Sequence, residues 1–296
     1  MPFELKDAQR PESAAEAGEV GDEETESPQS TAEADKKEVR VGLHTRLNNR
    51  IIDLRTQTSQ AIFRIQSGAC ALFREFLLNK NFVEIHTPKL LGAASEGGAN
   101  VFTVQYFDRK AYLAQSPQLY KQMLITSDFE RVFEIAPVFR AENSLTHRHM
   151  TEFVGLDLEM VFEEHYHEVL EIIEEMFMFI FKGFKERYSK EIETVRYERF
   201  DGQVDDRRQF SFVQPFELPE DGKVVRLTYS EGIKMLSESG EDIDDFADMT
   251  YFLLKPLSNV LEHHKRKLSA NSSKRSITPT SVSAIFYTFT NALRRP

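Results

Sequence analysis

Only one cysteine, Cys70, occurs among the 296 residues. An internal disulfide is therefore excluded, and the usage fits a reducing compartment. Cys70 falls within a helical apolar pattern, so it reads as an inert core thiol rather than a nucleophile. No apolar run approaches the about 20 residues needed to span a bilayer. The N-terminus lacks a signal-peptide core and is acidic, unlike an Arg-rich transit peptide, so a cytoplasmic location is expected. Positive charge is also scarce: 37 Lys and Arg against 48 Asp and Glu leave a net charge of −11. That balance argues against indiscriminate nucleic-acid binding over the whole surface, while leaving room for a local basic face.

What is present is unevenly spread. Hydrophobic content of 41%, with 24 Phe, is ample for a core. Residues 1–38, however, hold 12 acidic and 4 basic residues and almost no large apolar side chains. Such a segment cannot offset its ordering entropy, and residues 1–45 are expected to form a disordered acidic linker. Beyond Lys255 the sign inverts, with Lys265, Arg266, Lys267, Lys274, Arg275, Arg294 and Arg295 against Glu262. Residues 251–296 therefore read as a basic, Ser-rich tail with poor order. A folded α+β region is expected over 46–250.

Within that region, Ile62, Ile65, Ala69, Leu72, Phe73, Phe76 and Leu77 recur at helical spacing from Gln57 to Lys80. Phe82 to Ile85 reads as a strand stopped by Thr87-Pro88. Val101 to Tyr106 and Ala111 to Ala114 predict a hairpin turning at Asp108-Arg109-Lys110. Arg131 to Arg140 and Phe153 to Phe162 predict two further strands. If they pair antiparallel through residues 141–152, alternation places Arg140, Phe153, Asp157 and Glu159 on one face. The other face, with Phe133, Ile135, Leu156 and Leu158, would pack on helices. Val169 to Phe184 predicts a long core helix, Tyr197 to Gly222 a loop, and Tyr229 to Ser237 another helix.

The chemistry concentrates in Phe139-Arg140-Ala141-Glu142 and Thr146-His147-Arg148-His149-Met150-Thr151-Glu152-Phe153. Guanidinium groups suit phosphates, an aromatic plate suits a base, and carboxylates suit amino groups or metal. Two neighbours stand out besides. Ala94-Ser95-Glu96-Gly97-Gly98-Ala99-Asn100 is a Gly-paired loop fit for hinge motion. Gln115-Ser116-Pro117-Gln118-Leu119-Tyr120-Lys121-Gln122 sets a lysine near a helix start. His147, His149, His165 and His167 match no compact zinc spacing, and no metal site is expected from them.

These segments resemble the class II aminoacyl-tRNA synthetases of the aspartate, asparagine and lysine subclass, and most of all the aspartate-specific enzymes of cytosolic type. The fold implied is an antiparallel sheet flanked by helices, incomplete on its C-terminal side. Phe82 to Pro88 resembles motif 1, which implies a homodimer with Pro88 at the interface. The Arg140 segment resembles motif 2, and the octapeptide around Lys121 is similar to the family's aspartate-binding signature. The resemblance implies aspartate binding by Ser95, Glu96, Gln118, Lys121, Arg140 and Asp157. It implies ATP binding by Arg140, Glu142, Arg148, His149, Met150 and Phe153, with Arg140 also catalytic. The activity implied is aspartate–tRNA ligation, with ATP, Mg2+ and tRNA(Asp).

The resemblance covers about residues 46–247. The family's upstream anticodon-binding barrel, its metal-binding carboxylates and its motif 3 find no counterpart. This implies a truncated or alternatively spliced product, or a mispredicted gene model, with weak or no activity. Two alternatives remain open: a tRNA-independent aspartate–ammonia ligase on the same fold, and a non-catalytic dimerising fragment.

Overall fold

The computed structural model describes residues 2–8, 41–95, 101–141 and 150–200, together with 218, 224, 226 and 228–238. Contacts divide the chain into two compact units. The first draws its described residues from Met1–Gly68 and Phe184–Gln214, the second from Ala69–Gly183 and Pro215–Arg294.

The first unit is helical. It begins with α1 (Leu5–Ala8), α2 (Leu43–Asn48) and α3 (Arg50–Asp53), and continues into α4 (Gln57–Asn79), whose residues from Ala69 on belong to the second unit. Residues 5–8 and 43–45 were expected to lie in a disordered linker. Instead Phe3 and Ala8 are buried, and α1 packs beside α3. The remainder of that linker, 9–40, lies outside the described residues. Buried Asp53 accepts from Arg46 Nε at 2.5 Å and from Arg50 Nη1. Thr56 caps α4, its hydroxyl accepting from Ser59 N–H at 3.3 Å and donating to Asp53 O at 2.7 Å. Further along, the Gly68 Cα faces the Tyr188 ring so closely that a Cβ there would meet it at 2.5 Å. The region expected to start a loop at Tyr197 is helical through Phe200, in α7 (Ser189–Phe200). Its polar sequence carries no clear apolar stripe, so periodicity gave no signal for it.

Among the described residues, the second unit holds two three-stranded sheets. One has order β1-β5-β6, from β1 (Val83–Glu84), β5 (Arg131–Phe139) and β6 (Glu152–Met160). β1 runs parallel to β5, and β5 antiparallel to β6. The other has order β2-β4-β3, from β2 (Leu90–Leu91), β3 (Thr103–Tyr106) and β4 (Arg109–Leu113). The hairpin pairs Tyr106 with Arg109, so the turn is Phe107-Asp108 rather than the expected Asp108-Lys110. Phe107 takes φ 50°, a left-handed conformation that its residue type does not advertise.

On one face the β1-β5-β6 sheet meets α4. Phe73 of α4 meets Phe133 of β5 edge-on at 5.8 Å, and Phe76 meets Phe179 of α6 (His167–Arg187) at 5.6 Å. Gly183 lets α6 approach Leu72, whose Cδ2 would lie 2.4 Å from an added Cβ. α4 ends in a Schellman motif: Asn81 has φ 63°, its N–H reaches Leu78 O, and Phe82 N–H reaches Leu77 O. Buried Phe82 thereby anchors the entry into β1. A capping box opens α8 (Tyr229–Glu238). Thr228 N–H donates to Glu231 at 2.8 Å, and Glu231 N–H to the Thr228 hydroxyl at 3.2 Å.

The exit of α4 and the start of β1 are tied by a two-pronged ion pair. Arg74 donates Nε and Nη2 to Glu84 at 2.8 and 2.9 Å. Hydrogen bonds and charge from Arg74 hold the Glu84 carboxyl below its ordinary range. The folded pKa is the lower one, so the stabilisation is present above the unfolded value of about 4.3. It is lost as pH falls through the lowered folded value. Because Arg74 is 42% exposed, screening limits the contribution to no more than about 1 kcal/mol. Urea unfolding of the wild type and Glu84→Gln at pH 7, 5 and 3 is expected to show a gap at pH 7 that closes by pH 3. A gap independent of pH would contradict this.

Candidate functional site

The β5–β6 ladder sets nine consecutive residues opposite nine others, from Arg131↔Met160 to Phe139↔Glu152. Directly opposed residues share a face, so this register places Val132, Glu134, Ala136 and Val138 with Glu159, Asp157, Gly155 and Phe153. Arg140 continues the row, its N–H donating to Thr151 O at 3.0 Å. The polar face expected from alternation and antiparallel pairing therefore forms.

At one end of this floor the Arg140 guanidinium carbon lies 5.7 Å from the Phe153 ring centroid. A cation and an aromatic plate side by side can grip a phosphate and a flat heterocycle together. At the other end, α5 (Gln118–Leu124) lowers Lys121 onto β6. Lys121 is only 3% exposed. Its ammonium lies 3.4 Å from Asp157 Oδ1, 3.4 Å from Glu159 Oε2 and 3.2 Å from Leu158 O. A buried ammonium needs that company, since burial without counter-charge is very costly. Gln118 Nε2 also reaches Glu159, at 3.4 Å. Two carboxylates and one ammonium thus share this end. Such a set can trade its internal pairs for a ligand that brings one carboxylate and one ammonium.

Between the two ends stand the smallest residues of the row, Ala136 and Gly155. A Cβ at Gly155 would meet Asp157 Oδ2 at 2.7 Å and Val138 Cγ2 at 3.0 Å. From Phe153 to Asp157 is four residues, or about 13 Å of strand. This row of residues, termed the trough, has a charged group at each end and its smallest side chains between them.

The remaining expected residues fall as follows. Ser95 is half-buried and its hydroxyl accepts from Gln115 N–H at 3.1 Å, which ties the loop start to the segment leading into α5. Met150 is half-buried at the foot of β6, and Pro88 is exposed. Glu96, Glu142, Arg148 and His149 lie outside the described residues. Sequence reasoning gave no role to Glu159, although alternation had put it on this face. It also missed Gly155 and the buried carboxylate of Glu134. A glycine or a carboxylate inside a strand pattern was the available signal for each. No group of three or more His, Cys, Asp or Glu is arranged to hold a metal ion among the described residues. No helix among the described residues is long and apolar enough to cross a membrane.

The family described as tRNA synthetases class II (D, K and N) matches residues 42–283. The chain is 53% identical over 250 residues to the cytoplasmic aspartate–tRNA ligase of Homo sapiens, covering 84% of this chain and 44% of that protein. It is similar in structure to the aspartyl-tRNA synthetase of Entamoeba histolytica, with TM-score 0.64 and 40% identity, over 89% of this chain and 46% of that one. It is also similar to the asparaginyl-tRNA synthetase of Pyrococcus horikoshii complexed with asparaginyl-adenylate. There the TM-score is 0.59 and the identity 30%, over 74% of this chain and 46% of that one. The chain spans less than half the length of the curated relatives it matches.

The charge arrangement at the Lys121 end makes its own prediction. Lys121→Met leaves two carboxylates facing each other without their cation and is expected to cost about 1–3 kcal/mol in urea unfolding. Adding Asp157→Asn to that variant is expected to recover part of the loss, a positive coupling in a double-mutant cycle. Strict additivity would show that the cluster carries no shared energy.

Proposed function

This chain belongs to the class II tRNA synthetases of the D, K and N group, and from that premise we propose that it carries the aspartate-activating site of an aspartate–tRNA ligase. An α-carboxylate oxygen of aspartate attacks the α-phosphorus of ATP. The bond to pyrophosphate breaks, and aspartyl-adenylate forms. A terminal ribose hydroxyl of tRNA(Asp) then attacks the acyl carbon, and AMP leaves with the bonding electrons. Such chemistry asks a protein mainly to align reactants and to stabilise charge as it develops.

One observation carries the proposal: one face of the β5–β6 pair joins an Arg–Phe grip to buried Lys121 with half-buried Asp157 and Glu159, across the small residues of the trough. Phe153 is assigned to stack on adenine, an interaction worth about 1–3 kcal/mol. Arg140 is assigned to bridge the α-phosphate and the attacking carboxylate. Lys121 takes the side-chain carboxylate of aspartate, and Asp157 takes the α-ammonium. A fixed cation in a closed pocket rejects asparagine, which offers no compensating charge. Gln118 orients the amino-acid backbone, and Ser95 with Glu96 closes the pocket. Met150, Glu142, Arg148 and His149 complete the ATP contacts in this reading.

Beyond the pocket, the catalytic-domain portion is assigned to 46–250, with 1–45 as linker and 251–296 as a basic tail. A homodimer through the motif 1 segment, with Pro88 at its interface, belongs to the same proposal. So does a cytoplasmic location, which the relatives' printed names support. Mg2+, which the family uses, finds no fitting cluster of ligating side chains among the described residues. No step is routed through it.

Aspartate-dependent exchange between ATP and pyrophosphate tests the proposal, run with and without tRNA and ammonia. Weak exchange that needs aspartate and ignores ammonia is expected. Arg140→Ala is expected to lower its rate by about 100-fold or more, the scale of losing one charge-stabilising contact. Gly155→Val, which fills the trough, is expected to weaken ATP and aspartate together. Asparagine formation from ammonia would transfer the site to an aspartate–ammonia ligase. Failure to bind either ATP or aspartate would leave a non-catalytic fragment.

A further inference from the structure

Glu134 is buried to 1% exposure on the trough face of β5, directly opposite Asp157. Like charges opposed across strands repel, and a carboxylate out of water is costly unless several donors reach it. Its neighbours on the strand, Val132 and Phe133, are fully buried and apolar. Packing alone would be served at least as well by an aliphatic residue.

Among the described residues, the donors all come from one three-residue strap, far away in sequence. Thr87 N–H donates to Oε1 at 2.7 Å, and the Thr87 hydroxyl donates to Oε2 at 2.8 Å. Lys89 Nζ donates to the same Oε2 at 3.0 Å, and to the Thr87 hydroxyl oxygen at 2.8 Å. The strap carries the exposed Pro88 between these two residues. Its next link is backbone: Lys89 O accepts from Ala114 N–H at 2.9 Å, and Ala114 O accepts from Phe139 N–H at 3.0 Å. Buried Ala114 is therefore held between the strap and the end of β5. Phe139 precedes Arg140. Gln115, after Ala114, donates to the Ser95 hydroxyl, and the same segment runs on into Gln118 and Lys121. Both ends of the trough hang on this junction.

We infer that Glu134 is a positioning residue: its carboxylate clamps the Thr87–Lys89 strap, and the strap sets the Ala114 junction that aligns Arg140 with the Gln118–Lys121 segment. By keeping Lys89 at its side, Glu134 also lets its charge stand opposite Asp157 without drawing on Lys121. The assignment deepens the proposed function and rests on it for the identity of the ligand.

The test compares the full chain with Glu134→Gln, Lys89→Met and Thr87→Ser by hydrogen exchange and by binding of a non-hydrolysable sulfamoyl analogue of aspartyl-adenylate. Glu134→Gln keeps the shape but gives up the charge and one acceptor. It is expected to speed exchange at least tenfold over residues 85–91, 113–118 and 138–140, while α4 and α6 exchange as in the wild type. Analogue affinity is expected to fall at least tenfold in Glu134→Gln and Lys89→Met. Thr87→Ser, which retains both donors, is expected to behave as wild type. Uniformly faster exchange, or unchanged affinity with the local pattern absent, would overturn the inference. Should the wild type fail to bind the analogue, the functional reading falls, and the exchange pattern alone decides the role of Glu134. Should Glu134→Gln not fold, Thr87→Val, which removes only the hydroxyl donor, gives the same readouts.

Discussion

The antiparallel register of β5 against β6 is the constraint on which the rest of this structure depends. Side chains in a strand alternate, so a slip of one residue would send Asp157 and Glu159 into the helices and bring Leu156 and Leu158 into the trough. The greasy side resists that slip. Phe133 is wholly buried and locked edge-on against Phe73 of α4. Burial on the helical face therefore determines which residues can meet ligand on the other.

Charge on the trough face is organised rather than merely abundant. Three carboxylates, Glu134, Asp157 and Glu159, sit along two adjacent strands, and two lysines attend them from outside the sheet. Lys89 serves Glu134 through a strap that follows β1, and Lys121 serves Asp157 and Glu159 from α5. The first group is sealed, with its donors fixed by backbone and hydroxyl. The second retains long contacts of 3.4 Å and partial exposure of both carboxylates, at 30% and 21%. An incoming zwitterion with a third charge can repartner the second group far more easily than the first. The same division separates the role proposed for Glu134, as scaffold, from the ligand contact proposed for Asp157.

How much of this was legible in the chain can be argued from particular residues. α4, α6, α8 and the β5–β6 pair declared themselves through periodicity, because each buries one stripe or one face. The turn of the β3–β4 hairpin was misplaced by one position, because Phe107 adopts a left-handed conformation for which phenylalanine gives no cue. α7 was largely missed for want of an apolar stripe, and the helical turn at 5–8 was hidden in an acidic composition. In the site, Arg140, Phe153 and Asp157 were placed on one face by counting alone. Glu96, Glu142, Arg148 and His149 lie outside the described residues, so the geometry speaks only for the others.

By itself the sequence determined the residue types, their alternation and hence the two faces of the floor, since these follow from the fixed period of a strand. It determined family membership too, through motifs that are contiguous along the chain. Only the tertiary structure decided that Lys121 is buried between Asp157 and Glu159, and that Glu134 is clamped by Thr87 and Lys89. Those contacts join residues 36 to 47 positions apart. Nothing local encodes them: a lysine at a helix start looks the same whether it faces water or a carboxylate. The choice is made when the packing of apolar faces brings α5 and the strap against the sheet, where water can no longer serve as the partner.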